Sequence, residues 1–297
     1  IMSKADMACY AAKDSGRNQV HVYQHSDELA SEGHGDMHWR ARIIRAIEQN
    51  RFILYRQPII GISGDNDEHY QVLVRMIDEK GGVLPPGAFI SSAERYNLMA
   101  AIDRWVINEV FRLLAEADAN DASTSMGGYI TINLTGDSLI DDGLYDYIIS
   151  LTNKHGISLR NVCFELNETV AISNLVKTTA LINALKKHDC RFSLGDFGSG
   201  LSSFAYLKTL PVEYIKIDRT FVKDVSTDPV SRAMVDSIQK MARAMKLKTI
   251  AERVEDEQTL NILREIGIDY AQGYHLGRPQ AIRESDRERF IVNSQQA

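Results

Sequence analysis

Short apolar runs alternate with stretches of helical period along most of the chain. RFILYRQPII (51–60), YQVLVRMI (70–77), GYITINL (128–134), VCFEL (162–166), RFSLGDF (191–197), YIKID (214–218), KTIAERV (248–254) and IDYAQGY (268–274) read as strands. Between them, 86–117, 138–156, 167–190, 228–246 and 256–267 read as helices, with Pro86 near the first start, and 201–210 as a short helix. A last helix is predicted over 284–293. Strands alternating with helices predict βα units and a parallel sheet. About eight strands over roughly 250 residues fit an α/β fold of the (β/α)8 barrel type. A doubly wound open sheet is the alternative, but no G-x-G-x-x-G follows an early strand. Ahead of this rhythm, 1–23 read as a helix ending at Gly16 and a strand, too short to bury a core alone. Residues 24–37 read as a polar linker, which leaves 38–297 for the barrel.

Polar residues recur where the predicted strands end: Gln57, Arg75, Asn133, Glu165, Asp196, Lys216, Asp218, Glu252 and Gln272. In a (β/α)8 barrel these ends converge on one mouth, where active sites sit. Taken singly, each has a plainer reading as a cap or a loop hydrogen bond. Asp218 can cap the segment after it, and Glu168 suits a helix N-terminus. The set is carboxylate, amide and lysine, with no histidine, cysteine or serine nucleophile in register. Such oxygen donors suit Mg2+ or Mn2+. Two such ions would serve attack of water on a phosphodiester.

Composition narrows this further. The net charge is −6, with acids and bases interspersed, so no basic stripe is available for DNA or RNA. Cys9, Cys163 and Cys190 form no C-x-x-C pair and read as reduced thiols. The histidines lack metal-ligand spacing, and neither a G-x-S-x-G elbow nor a P-loop occurs. No apolar run reaches membrane-spanning length and no signal peptide is visible. A cytoplasmic location is expected, with the cytoplasmic part of a membrane-anchored protein as the alternative.

LYRQPI, PGAFISSAERYNLM, INLTGDSL, FELNET, GDFGSGLSSFAYLK, IKIDRTFV, AERVE and YAQGY, in that order, carry a specific resemblance. Residues 38–292 resemble the EAL-domain family of cyclic di-GMP phosphodiesterases. The tail ADMACYAAKDSGRNQVHVY resembles the end of a GGDEF (diguanylate cyclase) domain. The resemblance implies a TIM-like barrel of EAL type with an altered first-strand direction, and metal-dependent hydrolysis of cyclic di-GMP to linear pGpG. It also implies a homodimer, and upstream GGDEF and sensory domains as further partners. Metal ligands are implied at the positions of Gln71, Asn133, Glu165, Gly195 and Asp196. Lys216 matches the lysine that handles the catalytic water, with Glu252 as the other catalytic position. Gln57, Leu73, Arg75, Asn133, Asp196, Asp218, Glu252 and Gln272 match positions implied to hold the dinucleotide. Glu168 steadies the loop carrying Gly198 and Gly200, which in the family joins the active site to the dimer interface.

The departures alter the expected chemistry. Gln71 stands where the signature has glutamate, and Gly195 where it has the aspartate that bridges both ions. Asn133, Glu165 and Asp196 remain as a remnant set, and fewer charged ligands bind hard cations weakly. Asn167 replaces a threonine. Arg253 stands where the A-E-G-V-E pattern has glycine, read either as a solvated or Glu-paired arginine or as a group that helps hold phosphate. The expectation is a catalytically degenerate EAL domain that binds cyclic di-GMP. No cofactor is expected, and Mg2+ or Mn2+ only with residual activity. The alternatives are a weakly active phosphodiesterase and a nucleotide-free interaction module.

Overall fold

The computed structural model describes residues 34–64, 68–120, 128–200 and 204–282. The helix and strand expected over 1–23, and the helix expected over 284–293, lie outside the described residues. The chain divides into two compact units: residues up to 53 with 74–102, and 54–73 with everything from 103 onward.

The smaller unit contains α1 (His34–Glu48), the start of β1 (Phe52–Gly61), the end of β2 (Glu68–Ile77), β3 (Val83–Leu84) and α2 (Ile90–Arg95). Helix α1 begins inside the stretch read as linker. Strands β2 and β3 form a hairpin, with Met76 opposite Leu84. Asp78 closes the turn by accepting from the backbone N–H groups of Lys80 (2.8 Å) and Gly82 (2.7 Å). Phe52 packs on Phe89 with ring centroids 5.8 Å apart. The helix predicted over 86–117 is broken here. Asn97 takes φ +53°, and the Leu98 N–H reaches back to the Ala93 carbonyl at 2.8 Å. That bond pattern terminates a helix, and asparagine tolerates the left-handed residue it requires. The helical period resumes in α3 (Met99–Asn120), so periodicity alone joined two helices.

The larger unit is the barrel. Its further strands are β4 (Ile130–Leu134), β5 (Val162–Asn167), β6 (Arg191–Phe197), β7 (Tyr214–Ile217), β8 (Lys248–Ala251), β9 (Tyr270–Ala271) and β10 (Gln280–Ala281). The order β1-β9-β8-β7-β6-β5-β4-β2 closes through pairing of β1 with β2. Strands β4 to β9 run parallel, while β1 is antiparallel to β9. This is the (β/α)8 barrel, with the altered first strand, that the sequence led us to expect. Strand β10, which was not foreseen, extends the sheet along β1. Two predicted helices are again divided. The helix predicted over 138–156 becomes α4 (Gly136–Ile140) and α5 (Leu144–His155), because Asp141 folds back to accept from Gly143 N–H at 2.9 Å. The helix predicted over 167–190 becomes α6 (Glu168–Ser173) and α7 (Leu175–Lys186), which part at Asn174. The remaining helices are α8 (Arg219–Lys223), α9 (Pro229–Ala244) and α10 (Glu257–Ile266). Among the described residues no helix is long and apolar enough to cross a membrane.

The N-terminal ends of the strands are plugged by aromatic rings. His69 stacks on Tyr129 with centroids 3.7 Å apart, and Tyr214 and Tyr270 pack edge-on or tilted around them. The His69 Nδ1 accepts from the Tyr129 N–H at 3.2 Å.

Two hydrogen-bonded carboxylates contribute to the acid limit of the fold. Asp228 accepts from Val230 N–H, Ser231 N–H and Ser231 Oγ at the start of α9. The Ser231 hydroxyl first, then these backbone bonds, hold its carboxyl below the ordinary 3.8. Arg104, 2.7 Å from Asp141, lowers that carboxyl in the same way. A depressed carboxyl stabilises the fold above its unfolded pKa, and that contribution is lost as pH falls through the folded value. The urea midpoint is therefore expected to hold from pH 7 to about 5 and to fall below about pH 4. Asp228→Asn keeps a good cap and should flatten that fall. An unchanged slope in the variant counts against the assignment.

Candidate functional site

Strand alternation builds the site. Ile59, Cys163, Tyr214, Ile250 and Tyr270 face the barrel interior in one buried cluster. Two residues further along each parallel strand, on the same face, come Glu165, Lys216, Glu252 and Gln272. On antiparallel β1 the same step leads from Ile59 back to Gln57. Parallel register sets Asn133 beside Glu165 across β4 and β5. One end of the barrel is thus apolar and aromatic, and the other is lined by amides and charges.

These groups are hydrogen-bonded to one another. Gln71 Nε2 donates to Asn133 Oδ1 at 3.0 Å and to Glu165 Oε1 at 3.2 Å. Gln272 Nε2 donates to Gln71 Oε1 at 2.8 Å and to Gln57 Oε1 at 3.2 Å, and Gln57 Nε2 donates to the Gly277 carbonyl at 3.0 Å. The network fixes the orientation of the Gln71 amide, since only its NH2 can face a carboxylate and a carbonyl oxygen together.

Lys216 lies under this layer. Its Nζ is 2.9 Å from Glu165 Oε2 and 2.7 Å from Glu252 Oε1, and its side chain is 0% exposed. Burial alone would lower the lysine pKa, but the two carboxylates outweigh it and keep the ammonium protonated. Burial raises the Glu165 carboxyl, with Glu252 and Asp196 adding to the rise and Lys216 opposing it. Lys216 is therefore not exposed to solvent or to an incoming anion. It acts on the mouth only through the two glutamates it holds.

Gly195 and Asp196 sit on an irregular stretch of β6. The register with β7 shifts between Leu194 and Phe197, and Asp196 takes φ +52°. A bulge of this kind re-aims the side chain that follows it. Asp196 Oδ2 accepts from Asn167 Nδ2 at 2.6 Å, and Asn167 in turn caps α6 through the Val170 N–H. A Cβ on Gly195 would meet Glu165 Oε1 at 3.1 Å. Glu168 is buried, accepting from Gly198 N–H at 2.8 Å and from the Tyr206 hydroxyl. Those bonds anchor the loop that leads to Gly200. Asp218 behaves as a cap: its Oδ1 accepts from Thr220 N–H and Oγ1. Leu73 follows Gln71 on the same face of β2. Arg75 belongs to the smaller unit, where its Nη1 donates to the Val74 carbonyl at 2.9 Å.

The remnant donors do not fit a metal ion. The Gln71 NH2 bonds the oxygens of Asn133 and Glu165 that a cation would use. Lys216 donates to the same Glu165 Oε1 at 3.2 Å and ion-pairs with Oε2 at 2.9 Å, Asn167 donates to Asp196 Oδ2, and Gly195 offers no oxygen from its side chain. Among the described residues no three of His, Cys, Asp and Glu converge as a metal-holding group.

The EAL domain family matches residues 40–279. The chain belongs to this family. The cyclic di-GMP phosphodiesterase PdeB of Shewanella oneidensis is 40% identical to the EAL chain over 283 residues, 95% of it and 33% of PdeB. The chain spans about a third of the length of that relative. Among solved structures, the FimX EAL domain from Pseudomonas aeruginosa bound to c-di-GMP matches with a TM-score of 0.75 at 30% identity. That match covers 82% of this chain and 96% of the FimX chain. The MucR phosphodiesterase in its c-di-GMP complex matches with a TM-score of 0.74 at 28% identity, covering 82% of this chain and 97% of that one.

Sequence reasoning missed three contributors to the EAL mouth. Asn167 stood out only as a replaced threonine, and neither its cap on α6 nor its bond to Asp196 was foreseen. Tyr206 gave no signal at all before its hydroxyl was seen on Glu168. Gly273 lies beside Gln272, and a Cβ there would fall 2.0 Å from the Val254 carbonyl oxygen. Only glycine allows the exits of β8 and β9 to approach so closely.

Proposed function

We propose that this EAL domain binds cyclic di-GMP without hydrolysing it. The observation that supports the reading is the Gln71 amide, whose NH2 donates to both Asn133 and Glu165. Loss of the side chain at Gly195, beside the same glutamate, supports it. With Gln71 and Gly195 in place of two acids, the mouth repels a dianionic ligand less. Solved EAL relatives hold c-di-GMP on the same fold, which supports this choice of ligand. We further propose a homodimer coupled through the Glu168-anchored loop with Gly198 and Gly200, and a GGDEF domain ending at residues 1–23.

Isothermal titration tests the reading. Cyclic di-GMP should bind the chain in EDTA, with an affinity unchanged by Mg2+ or Mn2+. Chromatography should return the ligand intact after incubation with either metal. No binding at tens of micromolar ligand overturns the receptor. Metal-dependent release of linear product would establish the weakly active phosphodiesterase instead.

A further inference from the structure

Few long side chains sit on left-handed backbone in this molecule. Among the described residues Asn50, Asn97, Asp189 and Lys246 do so just after helix ends, where that conformation is an ordinary stop. Asp196 and Arg253 do so at the C-terminal ends of barrel strands, and Arg253 has φ +54°. Nothing local favours arginine there. It has neither the short polar side chain that eases this conformation nor the freedom of glycine.

The backbone around Arg253 is held from both sides. Glu252 is committed to Lys216 at 2.7 Å. The Val254 N–H donates to the Gln272 carbonyl at 3.0 Å, and the Val254 carbonyl accepts from His275 N–H at 3.1 Å. Gly273 closes against the same carbonyl. The guanidinium is therefore carried by a rigid segment between two mouth residues. It is exposed, and among the described residues it makes no hydrogen bond or ion pair. Its acidic neighbours are engaged elsewhere: Asp256 caps α10 at Thr259 N–H, and Glu257 holds His275 and Arg264. Glu255 lies within the same stretch and forms no ion pair with it. With Lys216 neutralised, Arg253 is a cation of this rim with no counter-ion among the described residues.

We infer that Arg253 is a specificity residue that contacts a phosphate of the bound cyclic dinucleotide. The inference rests on the receptor reading above. An arginine fork pairs with phosphate through two parallel N–H donors, and a preset backbone lowers the ordering cost of that pairing.

The test is titration of cyclic di-GMP into the full chain in EDTA, at low and high salt. The proteins are wild type, Arg253→Gly, Arg253→Ala, Arg253→Lys and, as a charge-matched control, Lys177→Ala. Losing one charge-assisted contact should weaken the glycine and alanine variants about tenfold. Lysine keeps the charge without the fork and should recover part of that loss. The control should match wild type, and the salt dependence should flatten in the glycine and alanine variants. The Tm of Arg253→Gly should equal or exceed that of wild type, which separates lost binding from lost folding. If wild type binds and the glycine and alanine variants bind as tightly, the assignment to Arg253 falls alone. If wild type does not bind, the assignment falls together with the receptor reading.

Discussion

Replacing Lys216 with methionine is expected to cost the fold about 3–5 kcal/mol and to give it a new dependence on pH. The ammonium is wholly buried between Glu165 and Glu252, at 2.9 and 2.7 Å. Methionine fills much of the space but leaves a buried carboxylate with no counter-charge. The Glu165 carboxyl is already raised above its ordinary 4.5 by burial, and Lys216 is what opposes the rise. In the variant that restraint is gone, so the folded pKa rises further above the unfolded one. A raised carboxyl contributes stability below the unfolded pKa and loses it as pH rises through the folded pKa. Lys216→Met should therefore be most stable near pH 5 and weaken toward pH 8. In the wild-type chain Lys216 restrains this rise, so the same loss toward pH 8 should be smaller. Urea midpoints across this range measure both effects. Adding Glu165→Gln should recover much of the loss and remove the slope at neutral pH. A single variant within about 1 kcal/mol of wild type at every pH refutes the ion triad.

The second large effect is a gain of chemistry. Gln71→Glu with Gly195→Asp should give metal-dependent cleavage of cyclic di-GMP, on the order of a hundredfold or more above wild type. Each change supplies a carboxylate next to Glu165, and the Gln71 change also removes the amide that bonds it. Neither is expected to suffice alone. The Gly195→Asp carboxylate must fit where a Cβ is only 3.1 Å from Glu165 Oε1, so Glu165 has to move by a few tenths of an ångström. Without metal, the double variant crowds acids together and should be less stable than wild type. Mn2+ at a hundredfold excess over its Kd should return about 2.7 kcal/mol, read as several degrees in Tm. Wild type should show no such shift. A double variant stabilised by Mn2+ yet inactive would mean that more than ligands was lost.

Much of the barrel was legible in the sequence because two periods dominate it. Strand-length apolar runs and helical repeats alternate, and a parallel closed sheet satisfies both. The breaks at Asn97, Asp141 and Asn174 were not legible. A helix can stop and resume in phase, and only the cap bonds reveal the stop. The mouth was legible residue by residue, since Glu165, Lys216, Glu252 and Gln272 all sit at strand ends. Their roles were not. Nothing in the sequence showed that Lys216 is buried between two glutamates. Asp218 had two readings, and the structure shows the cap at Thr220.

The sequence by itself determined the family and the identity of the residues at the strand ends. Gln71 and Gly195 are covalent facts that need no coordinates. It also set which side chains line the mouth, because strand alternation leaves no other face. Only the tertiary structure decided how these residues pair. Residues far apart in the chain had to meet before Gln71 could be seen donating to both Asn133 and Glu165. The same holds for Lys216, which is neutralised from two strands at once. Arg253 is the converse case: its neighbours in sequence are acidic, and the fold turns them to other partners.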